Sequence, residues 1–240
     1  MINGLTTAHL GVPDYELALL QHQSYINALT ECGLRVTVMP VDEDFPDSTF
    51  VEDAALLTPH CAIITNPGAA SRKGETVKIK ETVSKFYSAI EEIKEPGTVE
   101  AGDVLMVGKH YYIGISARTN LAGSNQLIQI LKKYGLTGSI IQLLHVLHLK
   151  TGVAYLENNN LVVCGEFVNK LEFASFNKIV IPNEEAYAAN CIWVNDTVLI
   201  PDGYPITAQR IADLGYSIVE IGMTEFQKLD GGLSCLSLRF

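Results

Sequence analysis

Five polar signatures recur along this 240-residue chain at nearly constant spacing, and the period restricts its fold more than any other feature does. Glu52, Glu100, His148, Asn190 and Cys235 stand 48, 48, 42 and 45 residues apart. Apolar hairpins follow four of them: 54–57 with 61–65, 104–107 with 111–115, 153–156 with 161–164, and 191–194 with 198–200. Apolar positions at threes and fours predict helices over 14–32, 74–87, 120–134 and 206–214. In the first of these, Asp14 caps the start, Ala18, Leu19, Tyr25, Ile26 and Leu29 form the stripe, and Gly33 closes it. The order is polar signature, hairpin, helix, strand. A repeat of this length signals an array or a radially symmetric fold. A radial arrangement would bring equivalent positions to a shared axis; a mixed αβ solenoid would spread them along a line. The repeat alone leaves both open.

Two stretches fall outside the repeat. Residues 34–39 alternate like a strand, and 42–53 are too acidic for one and read as a loop. The chain ends on Leu236-Ser237-Leu238-Arg239-Phe240, whose alternation predicts docking into a sheet. No Gly/Ser linker or change of composition divides residues 1–240, so a single domain is expected.

Hydrophobic content of 48% with 18% charged residues is enough for a large core. Seventeen basic against 27 acidic residues leave a net charge of −10, which repels nucleic acid and favours a small cationic partner. The same charge also serves solubility alone. No apolar run is long enough to span a membrane, and residues 1–7 lack the basic and apolar regions of a signal peptide. Five cysteines, an odd number without a CxxC pair, read as reduced thiols in a cytoplasmic protein.

The chemistry-bearing candidates stand at the signatures. Cys235 follows Gly231-Gly232 and sits between two serines. A lone cysteine is usually a small core residue, but beside an acid–base partner it becomes a nucleophile. His148 is that candidate partner, with His145 a rival. No further ligands with recognisable spacing accompany the two histidines, so no metal is expected. Asp47, Glu52, Asp53, Glu100 and Asp103 crowd acidic charge into loops. Carboxylates disfavour a thiolate, so they suit such a site only if the substrate itself brings positive charge, as a guanidinium would. Arg72 and Arg118 each fall between a hairpin and a helix, positions suited to holding a carboxylate.

These segments together are similar to the dimethylarginine dimethylaminohydrolases of the guanidine-modifying (pentein) superfamily. The resemblance runs through Asn3-Gly-Leu-Thr-Thr7, Phe45-Pro-Asp-Ser48, Phe50-Val-Glu-Asp53, Gly97-Thr-Val-Glu-Ala-Gly-Asp103, Ser116-Ala-Arg-Thr-Asn120, Leu147-His-Leu-Lys-Thr-Gly152, Asn190-Cys-Ile-Trp-Val194 and Asp230-Gly-Gly-Leu-Ser-Cys235. It implies an α/β fold, a five-bladed propeller of ββαβ units. Family members carry a short strand before the Asn-Gly-Leu-Thr segment, so a first blade lacking that strand, or a cropped chain, is expected here. The resemblance further implies Cys235 as nucleophile, His148 as general acid and base, and Glu100 as the carboxylate that holds the guanidine. Asp53, with Glu52 beside it, is implied as the second guanidine-binding acid, Asp47 as a contact to the substrate α-amino group, Arg72 and Arg118 as contacts to its carboxylate, and Leu5 as a lid residue.

The implied reaction is hydrolysis of a methylated arginine to citrulline through a covalent thiouronium on Cys235, with no cofactor. The implied partners are the small cationic substrate and a second copy of the chain in a homodimer, with neither nucleic acid nor membrane. Two alternatives remain at this point: a deiminase acting on arginine or another small guanidine, and a non-catalytic binding module on the same fold.

Overall fold

The computed structural model describes residues 1–240, which divide into two compact units: Val41–Thr151 with Cys235–Phe240, and Met1–Pro40 with Gly152–Ser234. The chain is a mixed α/β protein with four three-stranded sheets. In the Val41–Thr151 unit, β1 (Ala55–Leu57) and β2 (Ala62–Ile64) form an antiparallel hairpin, and β3 (Ile90–Glu92) lies parallel to β2. The helix α1 (Thr76–Val83) makes the crossover between them. The second sheet repeats this order with β4 (Val104–Val107), β5 (His110–Ile115), helix α2 (Leu121–Lys133) and β6 (Thr137–Gln142). Parallel neighbours need a crossover connection of this kind, which fixes the hairpin–helix–strand order read in the sequence.

The hairpin strands are short, and in the first sheet both their faces are covered. β1 and β2 are buried at every residue, as near-continuous apolar runs require. The third strand of each sheet lies at the edge and is partly exposed, and polar residues there (Glu91 and Glu92 in β3, Thr137 in β6) discourage further pairing. Those mixed strands are also the ones that the sequence pattern left unlocated. The helix α2 begins as its sequence dictates: Asn120 accepts a hydrogen bond from the Gly123 amide at 2.8 Å. It ends at Gly135, whose φ of +74° is costly for any residue with a Cβ. Its buried Leu127 and Leu131 join Leu56, Ile63, Val104, Tyr111 and Ile113 in one apolar core.

The Met1–Pro40 and Gly152–Ser234 unit holds the other two sheets. One consists of β7 (Val153–Tyr155), β8 (Asn160–Val163) and β9 (Asn177–Val180); the other of β10 (Ile192–Val194), β11 (Thr197–Pro201) and β12 (Ser217–Ile221). The latter crossover is helix α3 (Pro205–Ala212), whose first amides, those of Ile206 and Thr207, donate to Glu185 at 3.0 and 2.7 Å. The former has no α-helix; two 3₁₀ turns, Gly165–Phe167 and Leu171–Phe173, bury Phe167 and Phe173 in its place. The N-terminal helix α4 (Tyr15–Glu31) is capped by Asp14, which accepts from the Leu17 amide at 3.1 Å. Its buried face is Ala18, Gln21, Tyr25, Ala28 and Leu29; the expected Leu19 is exposed, and Gln21 takes the inward place by bonding Thr224 and the Glu225 amide.

Two expected strands do not form. Residues 34–39 belong to no ladder, and none of them is buried, because no neighbouring strand takes up their amides and carbonyls. The chain end at 236–240 also lies outside every sheet. It is held instead by Phe240, whose ring meets Phe86 and Tyr87 at centroid distances of 5.4 and 5.3 Å. No helix is long and apolar enough to cross a membrane.

Leu131 is fully buried on α2, so Leu131→Ala removes its contacts and leaves a cavity. The expected loss is about 2–5 kcal/mol, read as a lowered midpoint in urea unfolding followed by circular dichroism.

Candidate active site

Each signature residue lies in or beside a 3₁₀ turn. Glu52 lies in Val51–Ala54, Glu100 just before Ala101–Asp103, His148 just before Leu149–Thr151, Asn190 just after Asn183–Ala189, and Cys235 in Ser234–Leu236. The first four turns lead directly into hairpins. A turn of this kind leaves amide groups unpaired within itself, and buried side-chain carboxylates take them up.

Within the Val41–Thr151 unit the turns bring an imidazole among three carboxylates. His148 Nε2 lies 3.4 Å from Glu100 Oε2 and 3.9 Å from Asp53 Oδ1, and Nδ1 lies 3.3 Å from Asp103 Oδ1. All three acids are buried: Asp53 is 4%, Glu100 1% and Asp103 0% exposed. Burial alone would lower the histidine pKa, but the charges of Asp53, Asp103 and Glu100 more than reverse this and hold it at about 9. His148 is therefore an imidazolium at neutral pH.

The acids are separated by their surroundings. Burial would raise Asp53, yet His148, Arg72 and the Gly102 amide at 2.9 Å hold it below its ordinary value. Burial and the neighbouring Asp53 charge push Glu100 upward, although the Ala69 amide donates to it at 3.0 Å. Two carboxylates with opposed shifts in one site are the usual sign of divided acid–base roles. Gly102 is required at this point, since a Cβ there would lie 2.8 Å from Asp53 Oδ1 and 3.1 Å from the His148 ring.

The remaining expected residues are placed as follows. Arg72 is buried: it donates to Asp53 Oδ2 at 2.5 Å, to Glu75 at 2.8 and 3.1 Å, and to the Phe50 carbonyl at 2.9 Å. Burial would weaken its charge, but Asp53 and Glu75 keep its pKa raised. Arg118 has a side chain 22% exposed, with Nη1 3.8 Å from Glu100 Oε1. Glu52 accepts from Lys150 at 2.6 Å, and Asp47 is buried with its carbonyl 3.3 Å from Arg72 Nη2. Cys235 is half-buried and groups with this same unit. Leu5 belongs to the other unit and is exposed.

Asp103, Glu75 and Ser116 were not picked out as site residues. Their signal is proximity in sequence: Asp103 stands three residues after Glu100, Glu75 three after Arg72, and Ser116 two before Arg118. Asp53, Glu100 and His148 also offer donor atoms within 4.8 Å of one another, enough for three ligands to a metal ion. Here the cationic Arg72 and the imidazolium already answer the acids' charge, and a cationic substrate would answer the remainder.

The α/β scaffold and this acid-rich imidazole site have the make-up of an enzyme that moves protons at a buried polar centre. The comparisons narrow it. The family model described as N,N dimethylarginine dimethylhydrolase, eukaryotic, matches residues 14–196. The N(G),N(G)-dimethylarginine dimethylaminohydrolase of Pseudomonas aeruginosa is 60% identical over 241 residues, covering 100% of this chain and 95% of that protein. The Streptomyces coelicolor protein of the same name is 34% identical, covering 94% of this chain and 87% of its own length. Among solved structures, the P. aeruginosa enzyme in a cysteine-to-serine variant complexed with citrulline superposes with a TM-score of 0.99 at 60% identity, over 100% of this chain and 94% of that one. The N-terminal domain of ArgZ, at 21% identity and a TM-score of 0.89 over 98% of this chain and 91% of that one, shares the fold. This chain belongs to the dimethylarginine dimethylaminohydrolase family.

Two outcomes follow from the site's charges. His148 binds its proton more tightly in the folded state than at its ordinary value of 6.5, so its stabilising contribution is complete below that pH. It is lost as the pH rises through about 9, and urea unfolding measured across this window should show stability falling with pH. Arg72→Met leaves Asp53 and Glu75 buried without their cation and should cost about 3–5 kcal/mol in the same measurement at neutral pH.

Proposed function

We propose that this chain hydrolyses N-omega-methylated arginine, asymmetric dimethylarginine or monomethylarginine, to citrulline and dimethylamine or methylamine. The observation that carries the proposal is the protonated His148 set among Asp53, Glu100 and Asp103, in a chain 60% identical to a dimethylarginine dimethylaminohydrolase. Such a site has a proton to give and excess negative charge to receive a guanidinium. The relative complexed with citrulline, and a histidine-to-glycine dimethylarginine dimethylaminohydrolase that forms an adduct with S-methyl-L-thiocitrulline, support the same chemistry.

The guanidinium carbon is a poor electrophile because resonance spreads its charge. Asp53 and Glu100 hold the planar group by charge-assisted hydrogen bonds, with Glu52 adding to the field. As the guanidinium arrives the Cys235 thiol gives up its proton to solvent; the thiolate adds to the carbon, and His148 protonates the departing amine as the C–N bond breaks. A planar thiouronium remains on sulfur. His148, now neutral, removes a proton from water; the hydroxide equivalent attacks the carbon, the C–S bond breaks, and citrulline leaves. Proton transfer of this kind contributes about 10²–10⁴-fold in rate.

The other roles follow from chemistry and exposure. Arg118 is the solvent-reaching arginine and meets the substrate carboxylate first. Arg72, whose guanidinium pairs with Asp53 and Glu75, joins it as the substrate guanidinium takes over Asp53. Asp47 receives the α-amino group. The four sheets of like strand order support a five-bladed ββαβ propeller in which residues 1–240 form one catalytic domain.

The test is citrulline release from asymmetric dimethylarginine, monomethylarginine and arginine, measured side by side. Turnover of the methylated substrates is expected, with Cys235→Ser abolishing it in a protein that keeps its circular dichroism spectrum. Preference for arginine would make the protein a deiminase, and turnover retained by Cys235→Ser would remove the thiol from the mechanism.

A further inference from the structure

Asp103 is a fully buried carboxylate that the reaction above does not use. It closes the 3₁₀ turn Ala101–Asp103 and has three neighbours. The Ser116 hydroxyl donates to Oδ2 at 2.7 Å, the Leu149 amide donates to Oδ1 at 3.1 Å, and His148 Nδ1 lies 3.3 Å from that same oxygen. The Nδ1 atom is itself buried and has no partner in hydrogen-bond geometry, so a small turn of the ring toward Asp103 completes the pair. Fixing the turn through Leu149 would account for one of these contacts. It does not account for an imidazole nitrogen sealed from water and facing the same carboxylate.

Ser116 extends the connection. Its oxygen also accepts the amides of Arg118 and Thr119 at 2.9 and 3.1 Å, and the Thr119 hydroxyl accepts the Glu100 amide at 3.1 Å. A single hydroxyl thus ties Asp103 to the loop that carries Arg118 and, one bond further, to Glu100.

We propose that Asp103, held by Ser116, is the positioning residue of the acid–base group, accepting a hydrogen bond from Nδ1–H of His148 so that Nε2 stays aimed at the reacting atoms. The proposal rests on His148 being the acid and base of the reaction above. The nitrogen that carries the mobile proton is decided by the hydrogen bond that the other nitrogen makes. Glu100 and Asp53 both lie on the Nε2 side, where substrate must enter, and each has a second cationic neighbour, Arg118 and Arg72 respectively. On the Nδ1 side the carboxylate is Asp103, itself held by the Ser116 hydroxyl and the Leu149 amide. A Cβ at position 102 would lie 3.1 Å from the ring, so only glycine leaves the imidazole its place beside Asp103.

The test is an NMR titration of His148 in wild-type protein and Asp103→Asn, with the pH profile of citrulline release for both. Asparagine keeps the side-chain shape and an acceptor for the Leu149 amide but removes the charge. The His148 midpoint should fall by about one to three pH units, as loss of an adjacent opposite charge requires. The alkaline limb of kcat should move down with it, while KM changes less than kcat. A midpoint that stays in place overturns the proposal whatever happens to activity, because a purely structural Asp103 would lower stability without moving that titration. Should Asp103→Asn fail to fold, Ser116→Ala takes its place: with one donor fewer on Asp103, its charge acts more fully on His148, so the His148 midpoint should rise, and its failure to rise overturns the pairing. A wild-type protein that titrates as expected but releases no citrulline would sink the reaction instead and leave the pairing standing.

Discussion

Four carboxylates, Asp53, Glu75, Glu100 and Asp103, lie buried close together in the Val41–Thr151 unit, and everything else there is arranged to hold their charge away from water. Burying one such charge unpaired costs several kcal/mol, so each must find a cation or a set of amides. Arg72 serves Asp53 and Glu75 together; the imidazolium of His148 serves Asp53, Glu100 and Asp103. The backbone supplies the remainder through the amides of Ala69, Gly102 and Leu149. Acids still outnumber fixed cations, which is why Glu100 is pushed toward the protonated form and why a guanidinium would be welcome.

The architecture makes this arrangement affordable by using the same device repeatedly. A 3₁₀ turn stands before each hairpin, with the signature residue in it or at one of its ends. The strands that follow are short and apolar, buried throughout in β1 and over the first two residues of β4, so these turns lead into packed structure. The His148 imidazole therefore gains its high proton affinity from the fold. In the proposed reaction the reactivity of Cys235 would depend instead on the substrate, whose guanidinium would bring the charge that favours a thiolate.

Legibility followed burial pattern. The hairpins and the helices α2 and α4 were readable because their apolar periods are strong and their ends carry Asn120, Asp14 and glycines. The outer strands β3, β6, β9 and β12 were not, because an edge strand mixes exposed polar and half-buried apolar residues and shows neither period cleanly. The alternations at 34–39 and 236–240 misled for the converse reason: the pattern was present, but no neighbouring strand was there to complete a ladder. Family resemblance supplied site residues, and the structure set His148, Glu100, Asp53, Arg72 and Arg118 in one cluster.

By itself the sequence determined the repeat, the hairpins, the net negative charge and the residue types on which guanidine chemistry depends, all of which are carried by local pattern and motif. Only the tertiary structure decided how the charges are shared. That Arg72 pairs with Asp53, that Glu100 is pushed up and Asp53 down, and that Asp103 lies beside His148 Nδ1 depend on separations of about 3 Å between residues distant in the chain. Electrostatic interaction falls with distance and grows with burial, and neither quantity is written in the order of the residues.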